Sequence, residues 1–448
     1  MVFHPCYVHV DPAPRRSGTA VEGVQMRRGI TATALVAALA LAATACGSDD
    51  KSGGGSSSGE LSGTVTWWDT SNVGSEDKVF KKLAEGFEKK HPKVDVKYVS
   101  VPFGDAQNKF KNAAQAGSSA PDVIRSEVAW TPDFASLGYL APLDGTAALK
   151  NQDDFLPQAV ASTKFEDKTY AVPQVIDSMG IFYNKKLLEK AGVEAPTNLV
   201  ELKTAAKQIK DKTGKTGLYL RGDDPYYFLS FLYGEGGDLV DAESKTVTVD
   251  KPEGVKAFKA VKALVDDGTA KTDASDGWEN MMQSFKNGDV AMMINGPWAV
   301  ADTLTGKEFT DKDNLGIATV PAGSTAHGAP QGGHNLAVYA GSKNLEASYA
   351  FVEYMTSVES QATTAGELNL LPTRTSAYAK KEAVNSEIVG FFKPVVETAV
   401  ERPWIPEGGS LFAPLGVEYT KVLTGQTTPE KAAKSTGDSY RKLLEGWK

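Results

Sequence analysis

Several short segments of this 448-residue chain set aromatic rings beside acids or turn residues. Trp67-Trp68-Asp69 ends an apolar run, "SEVAW" carries Glu127 and Trp130, and "GDDPYYF" carries Asp224, Tyr226 and Tyr227. "NGPW" carries Trp298, and "ERPWIPEGGSLF" carries Trp404, Glu407 and Phe412. Core aromatics usually sit inside periodic apolar runs, whereas these stand at strand ends and in Gly/Pro loops, where α/β sheets bind ligands. A flat ring offers its face to the CH-rich face of a sugar, while carboxylates accept hydrogen bonds from hydroxyls. Any one ring could simply pack under a loop, but together they point to a carbohydrate cleft. His334 in "QGGHNLAVYAG" is a further candidate, although a loop histidine more often satisfies local hydrogen bonds.

Other chemistry is poorly represented. "TGKTG" has Ile209 where a phosphate-binding loop needs its first glycine. Gly55 to Gly59, "GSSSG", matches a nucleophile elbow only formally, since no strand precedes it and no helix follows. "RGD" at Arg221 to Asp223 reads as a turn with no adhesion role. After Cys46 the chain holds only His91, His327 and His334, and no cysteine, so no metal site, disulfide or cysteine catalysis is expected in the body. No cofactor is implied. The net charge of -8 includes four arginines against two acids in residues 1–45, so the remainder is more acidic still. Nucleic acid is therefore an unfavourable partner, because counterion release needs a basic face.

These residues are carried by alternating strand and helix periods. "TVTWWD" reads as a strand, and Val79, Phe80, Leu83 and Phe87 recur at helical spacing until His91-Pro92. "VDVKYVSV" alternates as a strand, "GDAQNKFKNAAQAG" reads as a helix and "PDVIRSE" as a strand. That βαβαβ run predicts a largely parallel sheet covered by helices. "TYAVPQVIDSMGIFYN" is extended, "KKLLEKAG" and "LVELKTAAKQIKDKTG" are helical, and the helix "WENMMQSFKNG" leads into the strand "DVAMMIN" and the turn "GPW". A second α/β unit is the economical reading.

At the other end, Met26-Arg27-Arg28 and "GITATALVAALALAATA" form a charged n-region, an apolar h-region and a small-residue cleavage site, too short for a spanning helix. Residues 1–25 read as an over-extended start. Ala43-Thr44-Ala45-Cys46 resembles a bacterial lipoprotein lipobox, in which Cys46 takes a diacylglycerol and becomes the mature N-terminus. Two acyl chains suffice for a stable anchor, and "GSDDKSGGGSSSGE" would then be a flexible leash.

The lipobox together with "VTWWDTS", "APDVIRSEVAW", "YAVPQVIDSMGIFYNKKLLEKAG", "MMINGPW", "GGHNLAV", "AFVEYMTS" and "NLLPTRTSAY" resembles the extracellular solute-binding proteins of ABC sugar importers, most closely the maltose/maltodextrin-binding type. The likeness covers nearly all of 61–448. It implies an α/β, two-lobe periplasmic-binding-protein fold of type II, with residues 61–175 and 335–375 in one lobe and 177–333 and 379–448 in the other. Crossings would fall near Val175-Ile176, His334 and Leu371-Pro372. By the resemblance, Asp177 stands at a sugar-binding carboxylate, Asp224 and Tyr226 at an acid and a tyrosine of the site, and Trp298 and Phe412 at stacking rings. Arg125, Glu127 and Trp130 stand near further contacts. With Trp68, Asp69, His334 and Trp404 these make up the expected ligand-binding set. The implied protein is a monomer and not an enzyme, held at the outer face of the cell membrane by its lipid alone. It would take a maltose- or maltodextrin-type sugar and hand it to permease subunits. A secreted glycoside hydrolase, or a binder of trehalose, cellobiose, a peptide or a metal, is the alternative.

Overall fold

The computed structural model describes residues 60–448; the signal segment, Cys46 and most of the leash lie outside the described residues. The first lobe begins with β1 (Gly63–Asp69), α1 (Asp77–Lys90), β2 (Val94–Ser100), α2 (Phe103–Gln115), β3 (Val123–Glu127) and α3 (Trp130–Ser136). Helix α1 forms where its periodicity demands. It buries Val79, Phe80, Leu83, Ala84 and Phe87 on one face, with Asp77 in the first turn and Lys89 and Lys90 in the last, charges that complement the helix dipole. Burying each large apolar side chain of this kind contributes roughly 1.5 to 3 kcal/mol.

The chain continues with β4 (Ala171–Asp177), β5 (Gly180–Asn184), β6 (Thr216–Tyr219), β7 (Ala270–Lys271), β8 (Val290–Asn295), β9 (Leu315–Thr319), β10 (Gly332–Val338) and β11 (Leu371–Pro372). They fall into two sheets. One is six-stranded in the order β11-β4-β10-β3-β1-β2, the other five-stranded in the order β7-β6-β8-β5-β9. Both are mixed. β1 pairs in parallel with β2 and β3, as the βαβαβ run requires, but β10 runs antiparallel to β3 and β4, and β5 is antiparallel to both of its neighbours. The expectation of a largely parallel sheet therefore holds for β1, β2 and β3 but fails for the rest of the six-stranded sheet, while in the second sheet β7, β6 and β8 are mutually parallel and β5 is not. Strands that enter a sheet from the other lobe arrive without a crossover helix, so nothing forces them to be parallel.

Within the long extended stretch 169–184, β4 and β5 belong to two different sheets, with only Ser178 and Met179 between them. The chain returns between β9 and β10 and leaves again after β11 toward the helix Glu387–Glu397, whose Phe392, Val395 and Val396 join the core of the second lobe. The crossing segments are laced together. Ser178 Oγ donates to the Pro330 carbonyl at 2.9 Å, Val400 N–H donates to Ala329, and Gln331 N–H donates to Val400, both at 2.8 Å. Helix Leu199–Thr213, against the second sheet, shows the local logic of its ends. The Asn198 side chain accepts from the N–H groups of Val200 and Glu201, and Gly214 closes the helix at φ 71°, a backbone state that favours glycine.

Candidate functional site

The two sheets face each other across a cavity of about 600 Å³, well inside the range of small-ligand sites. Its first wall is built at one end of the six-stranded sheet. There β10 lies between β3 and β4, with His334 opposite both Glu127 and Val175, and Gly332 opposite Asp177. Adjacent strands thus bring a carboxylate and an imidazole into one row, with a second carboxyl two residues further along. A register shift follows His334, and Arg125, two residues before Glu127, reaches the same wall.

Arg125 is held from behind. Its Nε donates to Gln174 Oε1 at 2.8 Å, the Asp69 carboxylate lies 3.9 Å away, and its guanidinium sits 5.1 Å from the Phe80 ring. Asp69 is fully buried and spends its carboxylate on Ser71 and on the Tyr98 hydroxyl, which donates at 2.7 Å. Asp69 therefore positions Arg125 rather than lining the cavity. Trp68 does not line it either, because it packs on Val101, Ala106, Phe110 and Trp130. Strand alternation sends Trp67 and Trp68 to opposite faces of β1, and both faces are covered by apolar clusters. Both expected contacts are corrected to supporting roles.

Trp130 does reach the cavity. Phe103, 48% exposed at the start of α2, stacks on it with ring centroids 5.3 Å apart and 27° between planes. The opposite wall comes from turns after β6 and β8. Asp224 caps the short turn Pro225–Phe228 by accepting from Tyr226 N–H at 3.0 Å, which presents Tyr226 and Tyr227. Arg221 ion-pairs with Asp223 at 2.9 Å and Asp224 at 3.2 Å, and lies over the rings of Tyr227 and Trp278. Trp298 stands after β8 with its centroid 6.3 Å from that of Tyr226. Its indole folds back over Gly296, where a Cβ would collide with the six-membered ring. Glycine in "NGPW" is thus needed for close approach. Trp298 packs on the apolar clusters of both lobes.

Arg402 closes the floor. It forms an ion pair with Glu127 across the lobes and donates from Nε to the Gln331 carbonyl at 2.9 Å. Its guanidinium lies 5.4 Å from the Tyr226 ring, 5.8 Å from Phe412 and 5.6 Å from Trp404. Phe412 lines the cavity and Trp404 does not; the latter supports Arg402 from outside, because its loop turns the indole toward Glu401. Burial opposes the charge on Arg402, yet Glu127 and Tyr226 hold its guanidinium above the ordinary arginine value.

The wall leaves polar groups uncommitted. Among the described residues both ring nitrogens of His334 and the Tyr226 hydroxyl are buried without a hydrogen-bond partner. Burial, and then the charges of Arg125 and Arg402, push His334 well below its usual range, so the ring is neutral and can donate at one nitrogen and accept at the other. Burial first and Glu127 second push the Asp177 carboxyl up to about 7, against the pull of Arg402 and Arg125. No cluster of three or more histidine, cysteine, aspartate or glutamate side chains suited to a metal occurs among the described residues.

Of the expected contacts, Arg125, Glu127, Trp130, Asp177, Asp224, Tyr226, Trp298, His334 and Phe412 share this cavity. Sequence reading missed Glu76, Phe103, Gln107, Arg221, Trp278 and Arg402. Phe103 and Trp278 carried a signal, since each is an aromatic at a helix start beside a turn. Arg221 and Asp223 were visible as "RGD", but nothing local placed them at a cleft.

Comparison with known proteins places this architecture among described ones. A family model for bacterial extracellular solute-binding proteins matches residues 70–362. The diacetylchitobiose-binding protein DasA of Streptomyces coelicolor is 29% identical over 437 residues, covering 94% of this chain and 99% of its own. The maltotriose-binding protein of Pyrococcus abyssi is 26% identical over 358 residues, covering 78% of this chain and 75% of its own. Among solved structures, the GacH receptor of Streptomyces glaucescens, determined unliganded and with acarbose and an acarbose homologue, is 63% identical with a TM-score of 0.85. It covers 87% of this chain and 100% of its own. Maltose-bound MalE3 of T. maritima is 27% identical with a TM-score of 0.78, covering 85% of this chain and 100% of its own.

Proposed function

Because the chain belongs to the bacterial extracellular solute-binding protein family, we propose that it captures an oligosaccharide of the maltodextrin or acarbose type in the interlobe cavity and presents it to an ABC permease. The observation that carries this reading is the pairing of aromatic faces with uncommitted polar atoms. Trp130, Tyr226, Trp298 and Phe412 offer rings, while His334, the Tyr226 hydroxyl and Asp177 offer hydrogen bonds to hydroxyls. The ligands named for the GacH receptor and the maltotriose-binding relative support the sugar class. The crossings at 178–179, between β9 and β10, and after β11 would serve as the hinge. Sugar held by one wall and completed by the other shifts the open-closed equilibrium toward closure, and the closed form is what a permease would read. A micromolar dissociation constant needs only about 8 kcal/mol, which a few stacked rings and charge-assisted hydrogen bonds supply without covalent chemistry.

Calorimetric titration with maltose, maltotriose, maltotetraose, acarbose, cellobiose and trehalose tests the assignment, with labelled maltotetraose expected to return intact. Cellobiose or trehalose binding more tightly than every α-1,4-linked ligand would reassign the sugar. Shortened maltotetraose would make the protein a hydrolase, with Asp177 as its acid.

Cys46, outside the described residues, is proposed as the lipid anchor on the strength of its lipobox context, with the leash separating anchor from fold. Cys46→Ala should move the protein from the membrane fraction to the soluble one with sugar affinity unchanged. Retention of the variant in membranes would refute the anchor.

A further inference from the structure

Resting on the oligosaccharide-capture reading, we propose that Gln174, which lies outside the cavity, is the residue that aims Arg125 at the sugar: set into β4 as a bulge, it holds the guanidinium by Nε and keeps both terminal nitrogens turned to the ligand.

β4 and β10 do not pair evenly. Ala171, Val172 and Pro173 lie opposite Ala337, Leu336 and Asn335, but His334 lies opposite Val175, so Gln174 is an extra residue with no partner in β10. An inserted residue of this kind re-aims the side chains around it. Carried on without it, the first register would put Gln174 opposite His334 and Ile176 opposite Gly332, and Asp177 would fall on the other face of the sheet, because successive side chains alternate. The bulge therefore sets Val175 and Asp177 on the cavity wall and leaves Gln174 to act from behind it.

Gln174 is 2% exposed and spends its amide on one bond. Its Oε1 accepts from Arg125 Nε at 2.8 Å, while its Nε2 is buried without a hydrogen-bond partner among the described residues. An unpaired buried amide nitrogen costs stability, so packing alone would favour an apolar side chain at this position. What the residue supplies is the bond to Arg125.

Arg125 has a rival partner. The Asp69 carboxylate lies 3.9 Å from Nε, fully buried and outside the cavity lining. It already accepts from the Ser71 N–H at 3.1 Å, from the Ser71 hydroxyl and from the Tyr98 hydroxyl at 2.7 Å. Glu76, on the cavity wall, accepts the Asn72 N–H at 2.9 Å. Charge alone draws the guanidinium back toward Asp69, and the neutral acceptor at 2.8 Å holds it forward, with the Phe80 ring 5.1 Å behind. Nε is thus committed. Among the described residues no acceptor takes a hydrogen bond from the two terminal nitrogens of Arg125, which stay available to sugar hydroxyls.

Calorimetric titration with maltotetraose tests this. Gln174→Met keeps the length of the side chain and removes the acceptor, and it should weaken binding roughly tenfold or more, the worth of one charge-assisted hydrogen bond, with little change in the melting temperature of the unliganded protein. Gln174→Glu offers an oxygen to Nε in either protonation state and should recover most of that loss. In an Arg125→Lys background, which keeps the charge but has no guanidinium, Gln174→Met should cost no further affinity. Unchanged affinity in Gln174→Met, no recovery in Gln174→Glu, or losses that add in the Arg125→Lys background would overturn the inference while sparing the oligosaccharide reading. No binding of maltotetraose by the wild-type protein would overturn that reading and the inference with it. The wild-type protein decides the matter even if the methionine variant fails to fold. Hydrogen exchange at the Arg125 Nε–H, assigned by its loss in Arg125→Lys, should be slow with and without maltotetraose, and fast exchange in either state would overturn the inference.

Discussion

Trp298→Ala should weaken oligosaccharide binding by about ten- to a hundredfold, the equivalent of the roughly 1.5 to 3 kcal/mol gained by burying such a ring. The indole stands after β8, where Gly296-Pro297 ends the ladder and turns the chain. It is only partly buried, one face resting on Gly296 and the ring system touching the apolar clusters of both lobes, with Tyr226 beside it. Because part of the ring is available to a sugar, the main loss should be in affinity. Contact with both clusters means the unliganded protein should also melt slightly lower, but by far less than the 3 to 5 kcal/mol typical of a truncated core tryptophan. Gly296→Ala offers an independent handle, since its methyl would displace the indole without deleting it and should also weaken binding. Calorimetry and thermal melting of both variants check this. Intact affinity in a strongly destabilised Trp298→Ala protein would return the residue to the core.

Arg402→Ala should produce the largest loss of stability at the site. Its guanidinium is the partner of Glu127 across the lobes, both side chains are largely withdrawn from solvent, and its Nε serves the Gln331 carbonyl in a crossing segment. Removing one member of a buried ion pair leaves the other charge uncompensated, which typically costs about 3 to 5 kcal/mol, whereas removing both costs much less. The double variant Glu127→Gln/Arg402→Ala should therefore recover part of the melting temperature lost by Arg402→Ala. A double-mutant cycle by denaturant unfolding measures the coupling. Additive losses, with no recovery, would mean that the pair does not act as a unit. Sugar affinity should fall in the single variant as well, because the guanidinium backs the rings of Tyr226 and Phe412.

The alternation of strand and helix, the apolar face of α1 and the turn chemistry of "NGPW" are local properties, and they made the α/β class and the turn at Trp298 legible in the sequence. Aromatics in Gly/Pro loops after strands were equally legible. Tyr226 and Phe412 each rest partly on the core of the second lobe, so their reach into the cavity came from the turns that hold them rather than from a lack of apolar neighbours.

Only the folded chain decided the rest. Trp68 and Asp69 belong to a strand whose alternation shows that they face opposite ways, but whether a face meets solvent, helix or cleft depends on what packs there. The direction of β10 depended on which lobe it entered from, so local pattern could not make the sheets mixed. Arg402 meets Glu127 from 275 positions away, and its loop has no feature marking it for an ion pair. Pairing over such separations is determined by crossing segments that bring three stretches of chain side by side. Sequence specifies the residues that can form an ion-paired wall, but their partnership exists only once both lobes have folded against the same crossings.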